Sequence, residues 1–413
     1  MRAAAILVLV SAAPAWAQDA PDAPPTSAPA DDHPPTNDGW ADGDHLTGAW
    51  GGRRDALAAH GVTLDVLYSS DLFTAHGAVA LLGHVDAALT LDSEKLGLWP
   101  GGTLYVLGQN NHGHGINGEV GSAVGVSNLE AEPYTQLTEL FYEQTVLDDR
   151  LRVRIGKQDA NRDFGTPRFG GNFLNNNFGM FPNTPLPSYP TTGLGAIAIV
   201  TPLPWLVDKL AIYEGSPTVG GLGLGSAFHH GAGYLVAASV AATHHVGPRA
   251  RDGGTTSVGV WRQAHEVDEV VEVGATGAPR TFASDAGWFV QHDERVFSHP
   301  RDPKDPRGLT VILRASWARP DRSAFARYAG ASAAWHGLGA RRNDTTGLGA
   351  GYFTIADQLG GTPGRGSEWF VEWFYKLRLT SFASLSPDAQ WFRHPGGDGR
   401  DAWVGGVRLK LKL

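Results

Sequence analysis

From Val62 to Leu413 the chain repeatedly alternates apolar with polar side chains at a period of two. Val62, Leu64, Val66 and Tyr68 interleave with Thr63, Asp65, Leu67 and Ser69, and His84, Asp86, Ala88 and Thr90 with Val85, Ala87, Leu89 and Leu91. Arg150, Arg152 and Arg154 interleave with Leu151, Val153 and Ile155. Near the end, Trp369, Val371, Trp373, Tyr375 and Leu377 share one face, against Glu368, Phe370, Glu372, Phe374, Lys376 and Arg378. In the last segment Val407, Leu409 and Leu411 stand against Arg408, Lys410 and Lys412. Period two means strands. A soluble sheet turns the apolar set inward, whereas a membrane barrel turns it toward lipid and the charged set toward a wet lumen. Helices are a poor alternative: the best apolar run beyond the N-terminus, Gly193 to Val207, is broken by Pro202 and Pro204, and a spanning helix needs about 20 nearly unbroken apolar residues. In lipid only helices and closed barrels satisfy every backbone group.

Three features favour the barrel over a soluble all-β protein. Strand-like segments cover the chain from Val62 onward, one lies at the very C-terminus, and aromatic residues such as Trp369 and Trp373 cluster near strand ends, as the girdles of membrane barrels do. Connections alternate in length. Asp148-Asp149, Thr201 to Asp208 and Arg301 to Arg307 read as short links, and Gln109 to Gln136, Gln158 to Thr192 and Gly215 to His230 as long loops. That asymmetry is the outer-membrane pattern, and dividing the chain by strand plus connection gives about 16 antiparallel strands, enough to leave an aqueous channel.

The N-terminus adds a targeting signal. Arg2, the apolar run Ala3 to Val10 and Ala15-Trp16-Ala17 follow the order of a cleaved secretory signal, so residues 1–17 are expected to be removed. Residues 18–44, rich in Pro, Ala and Asp over 18–38, have no apolar period and read as a disordered periplasmic tail. Residues 45–413 are expected to be the barrel domain, opening on a short helical segment over 45–61 with Gly61 as its stop. There is no cysteine and the net charge is -9 with no basic block, so neither disulfides nor nucleic acid enter the reading.

Several stretches together resemble the carbohydrate-selective porins of the OprB type. They are His45-Leu46-Thr47-Gly48-Ala49-Trp50-Gly51-Gly52-Arg53, Leu96-Gly97-Leu98-Trp99-Pro100-Gly101-Gly102, Asn111-His112-Gly113 and Ser127-Asn128-Leu129-Glu130-Ala131. Glu139-Leu140-Phe141-Tyr142-Glu143-Gln144, Arg154-Ile155-Gly156-Lys157, Phe173 to Pro182, and Leu385-Ser386-Pro387-Asp388-Ala389-Gln390-Trp391 follow in order. The resemblance implies a 16-stranded barrel of the bacterial outer membrane with inward-folded loops, passing monosaccharides such as glucose. Many members end in Phe where this chain has Leu413. The alternation of the last strand is intact, so insertion by the barrel-assembly machinery is expected to survive. No counterpart of the wall-binding domain of some larger relatives is expected.

Candidate pore residues follow. Arg152 and Arg154, with Arg150, form a basic ladder on one strand face, and planar guanidinium groups suit sugar hydroxyls and rings. In the 158–192 segment, Arg162, Asp163, Phe164, Arg168 and Asn175 to Asn177, with Asn176 central, offer both charges, an aromatic ring and amides, a mixture that suits a sugar's apolar face and hydroxyl rim. An ordinary polar external loop would look the same. Asn111, His112 and Glu119 in the earlier loop are the second candidates for the constriction. The pairs His112/His114, His229/His230 and His244/His245 lack Cys or an H-E-x-x-H context, so no metal and no cofactor is expected. Scattered carboxylates need no catalytic role in a lumen, and no enzyme is expected. The alternatives are a general unselective porin and a secreted all-β carbohydrate-binding protein. The expected partners are small sugars as permeants, outer-membrane lipid and lipopolysaccharide, and a second copy in a homo-oligomer. Deleting residues 18–38 should leave both the folded barrel, read by heat-modifiable gel mobility, and sugar flux into liposomes nearly unchanged. Loss of the folded band would give that segment a structural role.

Overall fold

The computed structural model describes residues 43–219, 233–244, 253–270, 280–298, 307–356, 366–397 and 399–413. The expected signal peptide, the expected tail up to residue 42, Arg301 to Pro306, residues 220–230 with His229 and His230, and His245 fall outside those residues. The barrel strands of the first half are β1 (Val62–Ala75), β2 (Ala78–Asp92), β3 (Gly102–Gly113), β4 (Tyr134–Val146), β5 (Leu151–Gln158), β6 (Gly193–Leu203), β7 (Leu206–Glu214), β8 (Tyr234–His244) and β9 (Gly253–Ala264). A two-stranded ribbon, β10 (Val267–Asp268) with β11 (Thr281–Phe282), interrupts the series. The barrel resumes with β12 (Asp285–Ser298), β13 (Gly308–Ala318), β14 (Phe325–Leu338), β15 (Arg341–Ile355), β16 (Ser367–Arg378), β17 (Ala383–Arg393) and β18 (Ala402–Lys412). Sixteen of these strands pair antiparallel with their neighbours, and β1 closes on β18 from Leu67↔Lys412 to Ala75↔Val404. No described helix is long and apolar enough to cross a membrane.

Alternation sets the two faces as the sequence implies. On β16, Glu368, Phe370, Glu372 and Phe374 are buried, while Trp369 and Trp373 are exposed on the outer surface. On β5, Arg154 is buried and Ile155 is 61% exposed. Leu72, Leu81, Leu210, Ile212, Val258, Val260, Leu313 and Leu348 continue the outer apolar belt around the barrel, the surface a bilayer requires. Aromatic pairs such as Phe297–Trp335 and Tyr352–Trp369 stand on that outer face.

The N-terminal segment seals the seam. Helix α1 (Arg53–Ala59) ends before Gly61, whose φ of 84° is the left-handed stop anticipated for glycine. Arg54 donates to the Leu64 carbonyl at 3.0 Å and to the Leu413 carbonyl at 3.2 Å, and its guanidinium lies 4.0 Å from the Trp50 ring centre. Leu46 N–H bonds the Lys412 carbonyl at 2.8 Å. The paired motif residues thus clamp the first strand to the last.

Both termini of the barrel lie at the end carrying the short β4–β5, β6–β7, β14–β15 and β16–β17 turns, and the long connections 114–133 and 159–192 lie at the other. The β1–β2 hairpin and the 319–324 connection are short exceptions at that end. One sequence expectation is corrected: the segment from Gln109 is not loop, because β3 continues to Gly113 and β4 begins at Tyr134. Gln109 and Asn111 occupy inward strand positions, where a polar lumen accepts side chains that elsewhere signal a loop. Leu210 projects outward between Ala198 of β6 and Ala238 of β8. Leu210→Arg should cost about 2–4 kcal/mol in a lipid refolding titration if it sits near the bilayer midplane, and unaltered stability would reverse the inside–outside assignment.

Candidate functional site

The loops 114–133 and 159–192 fold into the barrel rather than over it, because the wall offers them charges to satisfy. On the β4–β5 side, Arg154 is 2% exposed and donates to Glu143 at 2.8 Å and to Asp163 at 2.7 Å. Asp163 belongs to α3 (Asn161–Phe164), the first turn of the longer loop. Burial would push the Asp163 carboxyl up, but Arg154, Lys209 and Arg162 together hold it below the usual carboxylate range. Lys209 of β7 donates to the Asp163 carbonyl at 2.5 Å, and Arg162 is bonded to Glu139. Glu139 also accepts the Asp159 N–H at 3.1 Å. Inside a protein such charge-assisted bonds are short and strong, and removing one partner strands the other.

The opposite wall receives the far part of the loop. Glu372 of β16 accepts the Leu174 and Asn175 N–H groups at 2.6 and 2.9 Å. Arg314 of β13 donates to the Asn177 carbonyl at 3.0 Å and the Gly165 carbonyl at 2.5 Å, and the Tyr328 hydroxyl donates to Asn177 at 2.7 Å. Apolar contacts reinforce these bonds. Phe173 packs on Phe374 at 4.8 Å between centroids, Phe178 on Phe370 at 5.3 Å, and Phe181 on Phe289 at 5.2 Å. Gly349 matters here: a Cβ on it would meet the Phe178 ring at 2.4 Å, so the strand is bare where the loop lands. The shorter loop is fastened alongside. Its Ser122 and Ala123 donate to Glu368, and Ser127 donates to Asp71, itself gripped by Arg408 at 2.6 Å. Asn128 N–H to the Leu174 carbonyl at 2.7 Å, and Asn176 to the Val124 carbonyl at 3.2 Å, tie the loops together.

The sequence candidates separate into three groups. Arg154, Arg162 and Asp163 come together, but as a latch whose charges are spent on one another. Asn176 and Asn111 are also fasteners: Asn111 is 1% exposed and donates to the Ala131 carbonyl at 2.7 Å. Arg152 and Arg168 remain accessible. The Arg152 side chain is 22% exposed and 3.8 Å from Glu143. Arg168 is exposed, 5.0 Å from the Phe169 ring centre, and Arg295 of β12 lies 5.7 Å from the same ring. Two candidates do not join. His112 points to the outer face, stacked on Tyr68 at 6.1 Å and lying over Gly83, because Asn111 and Gln109 take the inward positions. Glu119 is exposed on α2 (Asn117–Val120), apart from the latch. Glu139, Glu143, Glu372, Lys209, Arg295 and Arg314 were not singled out by sequence reasoning. The signal for the first two was their place two residues either side of Phe141 in an alternating segment that also carries the family resemblance.

The result is a lumen crossed by a doubly anchored loop, with guanidinium groups and an aromatic ring left accessible beside it. That arrangement can donate hydrogen bonds and stack on a ring.

Comparisons with known proteins agree with this architecture. Residues 76–413 match the profile of the family described as "Carbohydrate-selective porin, OprB family". A search of curated proteins returned no match. Among solved structures, the high-pH structure of Pseudomonas putida OprB superposes with a TM-score of 0.79 at 18% identity, over 90% of this chain and 99% of that one. The low-pH structure of the same protein gives 0.61 at 15% identity, over 90% of this chain and 99% of that one.

If the latch holds the loop across the lumen, Glu139→Gln and Arg162→Ala should each raise single-channel conductance and current noise. The double variant should add little to either, since both break one interaction. Full additivity in planar bilayers would place the two residues in separate roles.

Proposed function

The chain belongs to the OprB family of carbohydrate-selective porins, and from that membership we propose that its permeants are monosaccharides such as glucose, led past the latched loop by Arg152 and the Arg168–Phe169–Arg295 cluster. It is an outer-membrane β-barrel channel for carbohydrates. The observation that carries the finer reading is the division of labour among arginines. Arg154 and Arg162 are buried against carboxylates and hold the loop, while Arg152, 3.8 Å from Glu143 and 22% exposed, and the exposed Arg168 stay accessible to a solute. A guanidinium can bond vicinal hydroxyls and stack on a ring face, and Phe169 supplies a further apolar surface. Binding here must be weak, because a tight site would not release its permeant.

We read the protein as a passive channel and not an enzyme. Glu139, Glu143, Asp163 and Glu372 are committed to fastening loops, which leaves them unsuited to proton transfer with a substrate. Residues 1–17 are proposed to be a signal peptide and 18–44 a periplasmic tail. Lipid and lipopolysaccharide are the proposed neighbours of the outer belt, the barrel-assembly machinery its route of insertion, and a second copy its partner in the membrane.

In planar bilayers at fixed salt, glucose should block the ion current of the wild-type channel. Arg152→Ala and Arg168→Ala should each weaken that block several-fold, a tenfold change corresponding to about 1.4 kcal/mol. Unchanged block in both variants would place the sugar site elsewhere, and absence of block in the wild type would make the protein a general porin.

A further inference from the structure

The wall formed by β16, β17, β18 and β1 also carries positive charges that no loop carboxylate neutralises. Its inward carboxylates all have partners. Asp71 is gripped by Arg408 at 2.6 and 2.7 Å, Asp65 lies 4.0 Å from Lys412, and Asp388 accepts from Gln390 at 2.9 Å. On the adjacent β2, Asp86 accepts from Gln109 at 2.6 Å and is bonded to His84 at 3.1 Å. Its lysines do not. Lys410 has no hydrogen-bond or ion-pair partner among the described residues, and Lys376 reaches only the neutral Asn172 amide oxygen at 3.3 Å. Both are partly exposed.

The register brings them to one place. On β17, Ser384 pairs with Arg378 of β16 and with Lys410 of β18, and Ser386 pairs with Arg408. Lys376 stands two residues before Arg378 on the same inward face, beside Ser386. Strands lie about 4.8 Å apart and rise about 3.3 Å per residue, so the two lysine Cα atoms are within roughly 12 Å and their long side chains can converge on one group. Ser384 and Ser386 lie between them, and their hydroxyls have no partner among the described residues. An ammonium group so placed lowers its energy by taking an anion from the channel water.

We propose that Lys376 and Lys410, with the Ser384 and Ser386 hydroxyls, form a second lumen subsite that takes the anionic group of an acidic sugar, a carboxylate or a phosphate. The subsite lies just beyond Glu372, where the long loop is fastened, and so on the wall a solute meets beside the loop. It is separate from the arginine and aromatic residues assigned to neutral sugars. The inference rests on the reading of this lumen as a sugar path, and adds acidic sugars to the permeants.

The test is current block of the whole protein in planar bilayers by glucose, gluconate and glucose 6-phosphate. Gluconate should block at several-fold lower concentration than glucose. Lys376→Gln with Lys410→Gln should raise the half-blocking concentration of gluconate about tenfold, while the corresponding pair of Lys→Arg changes should retain it. Stronger block by glucose 6-phosphate than by gluconate would assign the subsite to phosphate, and the reverse to carboxylate. Heat-modifiable mobility confirms that each variant is a folded barrel. Gluconate blocking no better than glucose, or the Gln pair weakening both solutes in parallel, overturns the proposal. Block by gluconate without block by glucose would instead overturn the neutral-sugar reading and leave this subsite standing.

Discussion

Everything in this molecule descends from the need to pair every backbone N–H and C=O within a hydrocarbon layer that cannot do so itself. Closure of β1 on β18 removes the last free edge, and the α1 segment reinforces that joint through Arg54, which reaches the first strand and the chain terminus at once. Once the sheet is closed, alternation leaves each residue only two destinations. Outward positions become apolar or aromatic, and inward positions are released from that demand. The lumen is therefore where the chain can hold charge.

That freedom has a cost, because a charge facing a partly filled lumen is poorly solvated unless it finds a partner. The two inward loops resolve the problem. Glu368 and Glu372 take backbone N–H groups, Arg314 takes backbone carbonyls, and Arg154 and Arg162 take carboxylates. In each case at least one partner belongs to a loop or holds a residue that does. Such networks contribute less to net stability than their number suggests, since desolvation offsets attraction. What they provide is one loop position, supported by the phenylalanine contacts on β12 and β16. A porin needs that definition, because a loop free to swing would leave the channel's cross-section undefined.

Selectivity then depends on what the network leaves over. The cations that stay accessible, together with the Phe169 ring, are the groups able to meet a passing solute. The bonds that set the shape of the path and the groups proposed to read the solute are thus different residues of the same types, distinguished by how deeply each is buried among its partners.

The sequence by itself determined the architecture. Its period of two, the interrupted apolar runs and the unequal connections leave a barrel of about this size, because strand geometry assigns faces by parity alone. The short helix ending at Gly61 and the inward direction of Arg152 and Arg154 were legible for the same local reason. Only the tertiary structure decided which polar residues act. Whether an arginine fastens the loop depends on what stands across the lumen: Arg162 meets Glu139, twenty-three residues away, whereas Arg168 stays exposed beside the Phe169 ring. Glu372 meets Leu174 and Asn175 across nearly half the chain. His112 looked like its neighbour Asn111, yet one step along a strand sends it to the other face. Parity can be counted along a sequence, but proximity across a closed barrel exists only once the barrel has closed.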